Sequence, residues 1–142
     1  VGQNQALGVL PSAQYELFSA SQRAALVDRA LTIAPRFDRM AYQLQGTALS
    51  AEHGHDILSD GITMGAIQVP GDGRPFVLMA DHQPTGGYPK IACVCMADLP
   101  RLAQMAPGQA FVFSWIDIDT ALHRWQQIKQ LLDNPTALMG ID

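Results

Sequence analysis

Charge is what this sequence has least of: 15% of its 142 residues are Asp, Glu, Lys or Arg, against about 25% in an average globular chain. The basic side chains are scattered, no Lys/Arg stripe forms, and the net charge is −4. No nucleic-acid partner and no membrane contact are therefore expected. No apolar run approaches the roughly 20 residues that span a bilayer. The opening Val1-Gly2-Gln3-Asn4 has no basic or apolar leader character, so no signal peptide is expected, and Val1 reads as the interior of a longer polypeptide. Only two cysteines occur, Cys93 and Cys95. On a strand they share one face, a spacing that rarely bridges, and they read as reduced core thiols of a cytoplasmic protein. No Gly-Lys-Ser/Thr loop, Gly-x-Gly-x-x-Gly fingerprint or Gly-x-Ser-x-Gly elbow is present, which leaves the chain with no ATP site of its own. His53, His55 and Asp56 are too loosely spaced for a metal site, so no metal is expected.

What is present is apolar material for one core: 48% of residues are hydrophobic, enough at this length for a single domain without staples. High apolar content with so little charge also implies that a partner chain or domain covers part of the surface. Ala6 to Pro11 reads as a strand closed by proline. Ser19 or Ser21 caps a helical stretch from Gln22 to Ala30. Short strands are expected at Leu31 to Ala34, Met40 to Leu44, Met64 to Val69, Pro75 to Ala80, Ile91 to Met96 and Ala110 to Ile116. Pro70-Gly71-Asp72-Gly73 has hairpin chemistry. A short helix runs from Leu99 to Met105 behind Asp98. A final helix behind Asp117 or Asp119 carries the apolar stripe Leu122, Trp125, Ile128 and Leu132. The expected fold class is mainly β with a few helices, barrel-like.

Two segments concentrate polar groups in apolar surroundings. Asp81-His82-Gln83-Pro84-Thr85-Gly86-Gly87-Tyr88-Pro89-Lys90 places a carboxylate, an imidazole, an amide, a phenol and an ammonium at a strand end, where binding groups are commonly displayed. Gly86-Gly87 lets backbone amides approach a ligand, or simply makes a turn facing water. Gln68 interrupts the apolar segment Gly65 to Val69. It either orients a substrate carbonyl or completes a backbone hydrogen-bond pattern.

In the same segments the sequence resembles the biotin-dependent carboxyltransferase family, also known as the allophanate hydrolase subunit 2 or KipA-type family. The residues that carry the resemblance are Ser59-Asp60-Gly61, Gly65-Ala66-Ile67-Gln68-Val69-Pro70, Gly73-x-Pro75, Ala80-Asp81-x-Gln83-x-Thr85-Gly86-Gly87-Tyr88-Pro89-Lys90, Ala97-Asp98-Leu99 and Ala103-Gln104-x-x-Pro107-Gly108. Upstream, Val9-Leu10-Pro11-x-x-Gln14 and Asp38-Arg39-Met40-x-Tyr42-x-Leu44-x-Gly46 fit in the same order.

The resemblance implies a cyclophilin-like β-barrel, with residues 1–142 as the C-terminal subdomain and the N-terminal half absent. It implies membership of an ATP-dependent 5-oxoprolinase-type complex, with the carboxyltransferase component of urea carboxylase (urea amidolyase) or a non-catalytic regulatory module as alternatives. ATP would then be used by a partner subunit, biotin would enter in the carboxylase branch, and this chain would bind no cofactor itself. The implied partners are the missing half, a homologous subunit and a small-molecule substrate. Asp81, Tyr88 and Lys90 are the catalytic candidates, and Gln68, His82, Gln83, Thr85, Gly86 and Gly87 the substrate-binding ones. Lys90 with the Gly86-Gly87 amides would face a developing oxyanion, and Asp81 or Tyr88 would move the proton. Two positions depart from the family pattern: His82 stands where Arg is usual and Pro84 where Thr is usual. His lacks the permanent charge and planar fork of Arg. Ala41 stands where Gly is common.

Overall fold

The computed structural model describes residues 5–35, 40–52, 60–61, 63–81 and 85–133. In chain order the elements are β1 (Leu7–Pro11), a 3-10 turn (Tyr15–Leu17), α1 (Ala20–Ala25), β2 (Leu31–Ile33), β3 (Ala41–Gln45), β4 (Asp60–Gly61), β5 (Ala66–Gln68), β6 (Phe76–Leu78), β7 (Thr85–Gly86), β8 (Lys90–Val94), α2 (Leu99–Ala103), β9 (Ala110–Phe111), β10 (Phe113–Trp115) and α3 (Ile118–Asp133). Eight strands form one sheet in the order β10-β1-β8-β5-β6-β3-β2-β9, and β4 pairs with β7 separately. The expected β-barrel with a few helices is what forms.

The barrel closes through one stretch of chain. The sequence reads Ala110 to Ile116 as a single strand, but it splits at Val112. Its first half pairs antiparallel with β2, with Leu31 opposite Phe111. Its second half pairs parallel with β1, with Leu7 opposite Phe113. Between them the Leu7 N–H donates to the Val112 carbonyl at 2.9 Å. The same short segment therefore satisfies both edges of the sheet.

Alternation along the strands fills the barrel. Tyr42, Val77, Ile67 and Ala92 are successive register partners across β3, β6, β5 and β8, and all four belong to the buried core with Val9, Leu31, Ile33 and Phe113. Turn chemistry holds where expected: the Gly73 N–H donates to the Pro70 carbonyl at 3.0 Å in the β5–β6 connection, and Gly73 takes φ +83° with the Leu49 carbonyl close by.

The helices differ in detail from the sequence expectation. Ser19 rather than Ser21 caps α1, its Oγ accepting the Gln22 N–H, and α1 stops at Ala25, short of Ala30, with Leu26 as its C-cap and fully buried. Asp98 does not cap α2 through its side chain. Its carboxylate accepts the Gly8 N–H at 2.8 Å and Arg124 Nη1 at 2.6 Å, joining β1 and α3 to the start of α2. Asp117 caps α3, accepting the Thr120 N–H at 2.7 Å. The α3 stripe does not form the packed seam its period suggests. Trp125 and Ile128 are half-buried, whereas Leu122 and Leu132 are 52% and 60% exposed.

Candidate functional site

Strand pairing brings Gln68 and Lys90 together. The β5–β8 ladder runs Ala66 to Cys93 and Ile67 to Ala92, then shifts so that Gln68 stands opposite Lys90. This irregularity is a β-bulge, a feature that re-aims side chains and is frequent beside functional sites. Both residues are buried, at 8% and 4% exposure. Buried Lys is rare, and a buried amide ordinarily has its hydrogen bonds made. Gln68 Nε2 breaks that rule: among the described residues no acceptor meets it.

Gln14 fixes the start of β8 from the other side. Its Oε1 accepts the Lys90 N–H at 3.0 Å, and its own N–H donates to the Lys90 carbonyl at 3.1 Å. A further bond, from the Val69 N–H to the Pro89 carbonyl at 2.9 Å, holds the ends of β5 and β8 together. The Lys90 backbone is thus clamped on two sides. Gln14 is absent from the candidates that the sequence singles out, although it stands in the motif Val9-Leu10-Pro11-x-x-Gln14. The only local signal is an amide three residues past a strand-ending proline, and its partner is 76 residues away.

The other candidates divide. Gly86 lies on β7 and pairs with Asp60 of β4, while Thr85 pairs with Gly61. The Asp60-Gly61 backbone is thereby joined to the glycine-rich segment. Gly86 and Gly87 are half-buried, and Tyr88 is 44% exposed. Asp81 is exposed in the turn after β6. His82, Gln83 and Pro84 lie outside the described residues, as do His53, His55 and Asp56. Among the described residues no group of His, Cys, Asp or Glu could hold a metal ion.

Both thiols are free, Cys93 half-buried on β8 and Cys95 buried just beyond it. Burial pushes the Cys95 thiol up to about 11, reinforced by the Asp98 carboxylate that its Sγ meets at 3.1 Å. Burial also raises Cys93. Neither is an activated nucleophile, because nucleophilic thiols need the opposite shift. Arg124 and Cys95 converge on Asp98 Oδ2, and Arg101 lies 3.5 Å from Oδ1. Asp98 is consequently a structural hub rather than a reacting group.

Known proteins share the frame just described. Residues 1–115 match the family described as carboxyltransferase domain, subdomain A and B. The chain belongs to that family. It is 39% identical over 113 residues to the 5-oxoprolinase subunit designated C from Escherichia coli (strain K12), covering 80% of this chain and 36% of that protein. It is 40% identical over 112 residues to the protein of the same name from Haemophilus influenzae, covering 79% of this chain and again 36% of the relative. The chain therefore spans about a third of the length of these curated relatives. Its fold is shared with Kluyveromyces lactis urea carboxylase at TM-score 0.84 and 19% identity, over 94% of this chain and 13% of that one. The carboxyltransferase match ends at Trp115, the last residue of β10, so the barrel carries the family features and α3 follows them. Among the described residues no helix is long and apolar enough to cross a membrane.

Proposed function

We propose that this carboxyltransferase-family chain is the C-terminal part of a 5-oxoprolinase-type subunit, acting on a small cyclic amide within a multi-subunit complex. The observation that carries this reading is the buried Gln68–Lys90 pair at the β5–β8 bulge. These residues, which carry an amide donor and an ammonium, stand opposite each other in register where the glycine-rich segment enters β8. Such donors suit a carbonyl oxygen that gains negative charge as its carbon is attacked. Identity near 40% to two proteins named as subunits of 5-oxoprolinase supports the choice of substrate.

In this reading Lys90 stabilises the developing oxyanion together with the Gly86 and Gly87 amides, and Gln68 and Gln83 orient the carbonyl. His82 and Thr85 complete the substrate contacts, and Asp81 or Tyr88 moves the proton. Gln14 holds the Lys90 backbone in place. The N-terminal half of the domain and a homologous subunit are the partners, with ATP consumed on a partner subunit in the cytoplasm. Biotin belongs only to a urea-carboxylating variant of the reading. The same donor set would suit a ureido carbonyl, so the residues present fit either branch.

The experiment mixes the full-length parent protein with its partner subunits and measures ATP hydrolysis dependent on 5-oxoproline, with urea in parallel. The expected result is 5-oxoproline-dependent turnover that is lost when this subunit is omitted and abolished by Asp81→Ala or Lys90→Ala with assembly intact. Urea-dependent turnover requiring a biotinylated partner would replace the reading with the carboxylase branch. Silence with both substrates in an assembled complex would replace it with a regulatory module, the outcome that the His82 and Pro84 departures favour.

A further inference from the structure

Gln43, Phe76 and Gln68 are successive register partners across β3, β6 and β5. They alternate with Tyr42, Val77 and Ile67, which fill the core, so the three lie on the opposite, outer face of the sheet. Phe76 and Gln43 are half-buried, and Gln68 is more than nine-tenths buried. The row runs on to buried Lys90 on β8. Across three strands the outer face thus presents an amide, an aromatic ring and an amide in sequence, with Lys90 next in register beyond the bulge. A sheet face turned away from its core is ordinarily polar and exposed. This one is partly covered, and it holds the Gln68 Nε2 donor that no acceptor meets among the described residues.

A buried donor left without an acceptor costs stability in the empty protein. A ligand that supplied the acceptor would recover that cost on binding. The neighbouring Phe76 ring adds a flat apolar surface about one strand spacing, roughly 4.8 Å, away. A flat group with a carbonyl oxygen at its edge satisfies both at once.

We infer that the Gln43–Phe76–Gln68 row is a binding platform for a planar amide, whose carbonyl oxygen accepts from Gln68 Nε2 while its face lies on Phe76. This inference rests on the site reading given above and adds to it the recognising surface, including two residues, Gln43 and Phe76, that the site reading does not use. Gln68 here is a specificity residue whose native hydrogen bond forms only with ligand.

The test uses the full chain, the unbranched variant Gln68→Met, and 2-pyrrolidinone as probe, with proline as the ring that lacks an amide carbonyl. The first readout is thermal stability without ligand. Removing an unmet donor is expected to raise Tm by about 3 °C, whereas a structural amide would give a fall. The second readout is the Gln68 side-chain amide signal in 15N-labelled wild-type protein. It is expected to shift with 2-pyrrolidinone and not with proline, and Gln68→Met is expected to weaken 2-pyrrolidinone binding about tenfold. Phe76→Leu is expected to weaken it severalfold with Gln68 intact.

A fall in Tm, or a Gln68 signal indifferent to 2-pyrrolidinone, overturns the inference. The second readout, made on wild-type protein, decides alone if Gln68→Met cannot be produced for melting. Because 2-pyrrolidinone binding needs no partner subunit or ATP, loss of 5-oxoproline turnover in the complex would defeat the functional reading while leaving this result to be judged separately.

Discussion

Asp98→Ala should be the most damaging single substitution in the barrel outside its apolar core. Asp98 is 3% exposed, and its Oδ2 collects the Gly8 N–H at 2.8 Å, the Cys95 thiol at 3.1 Å and Arg124 Nη1 at 2.6 Å. The Arg124 side chain is itself only 15% exposed. Truncating the carboxylate strands that guanidinium and a buried amide hydrogen together. Breaking one side of a buried pair costs about 3–5 kcal/mol. At roughly 3 °C per kcal/mol for a chain of this size, that corresponds to a Tm loss of about 9–15 °C. Arg124→Met is expected to cost less, about 1.5–3 kcal/mol, because Asp98 keeps the Gly8 N–H and the Arg101 contact. The double variant should fall well short of the sum, with a coupling of about 2 kcal/mol. Thermal and urea denaturation followed by circular dichroism measure all three. A Tm loss below about 3 °C for Asp98→Ala, or strict additivity in the cycle, would refute the argument that one carboxylate ties β1, α2 and α3 together.

Three further expectations follow from local geometry. Gly73→Ala should destabilise by about 1–2 kcal/mol in thermal melts, because Gly73 sits at φ +83° and a Cβ there would stand 3.1 Å from the Leu49 carbonyl. Thr120 hydrogen bonds lower the Asp117 pKa, so its stabilisation of α3 is complete above the ordinary Asp range and lost as pH falls through the depressed folded value. Helicity titrated by circular dichroism should show this acid step in the wild type and not in Asp117→Asn, and identical profiles would rule it out. Cys95, raised to about 11 by burial and Asp98, should resist a disulfide reagent at mildly alkaline pH until urea is added. Native labelling at the rate of an exposed thiol would contradict its burial.

The strands and turns that depend on neighbouring residues were legible in the sequence. Pro70-Gly71-Asp72-Gly73 specified its connection because the proline, the acid and the positive-φ glycine act within four residues. The cap of α1 was legible as Ser19 or Ser21, and the structure decides for Ser19. Features set by distant partners were not legible. Asp98 reads as a helix cap from its position before Leu99, but its carboxylate turns to Gly8, ninety residues away. The run Ala110 to Ile116 reads as one strand because nothing local announces that it serves two edges. For α3, periodicity gave the helix but not the extent of cover over Leu122 and Leu132. At the candidate site, residue types marked Gln68 and Lys90 separately. Only strand register could place them opposite each other, and only that pairing exposed the part played by Gln14.

The split at Val112 also sets an order of events in folding. Residues 110–115 pair with β2 on one side and β1 on the other, so the β2 edge stays open until Phe111 and the β1 edge until Trp115 is available. A chain still emerging from the ribosome would carry β1 and β2 as open edges for most of its synthesis, with Leu7 waiting for Phe113 to arrive. Contacts of such long sequence separation slow folding, and open strand edges are where intermediates associate. Loss of residues 110–115 would therefore convert a sheet that ends in itself into one with two adhesive margins. The same short stretch that completes the barrel thus also guards it against aggregation.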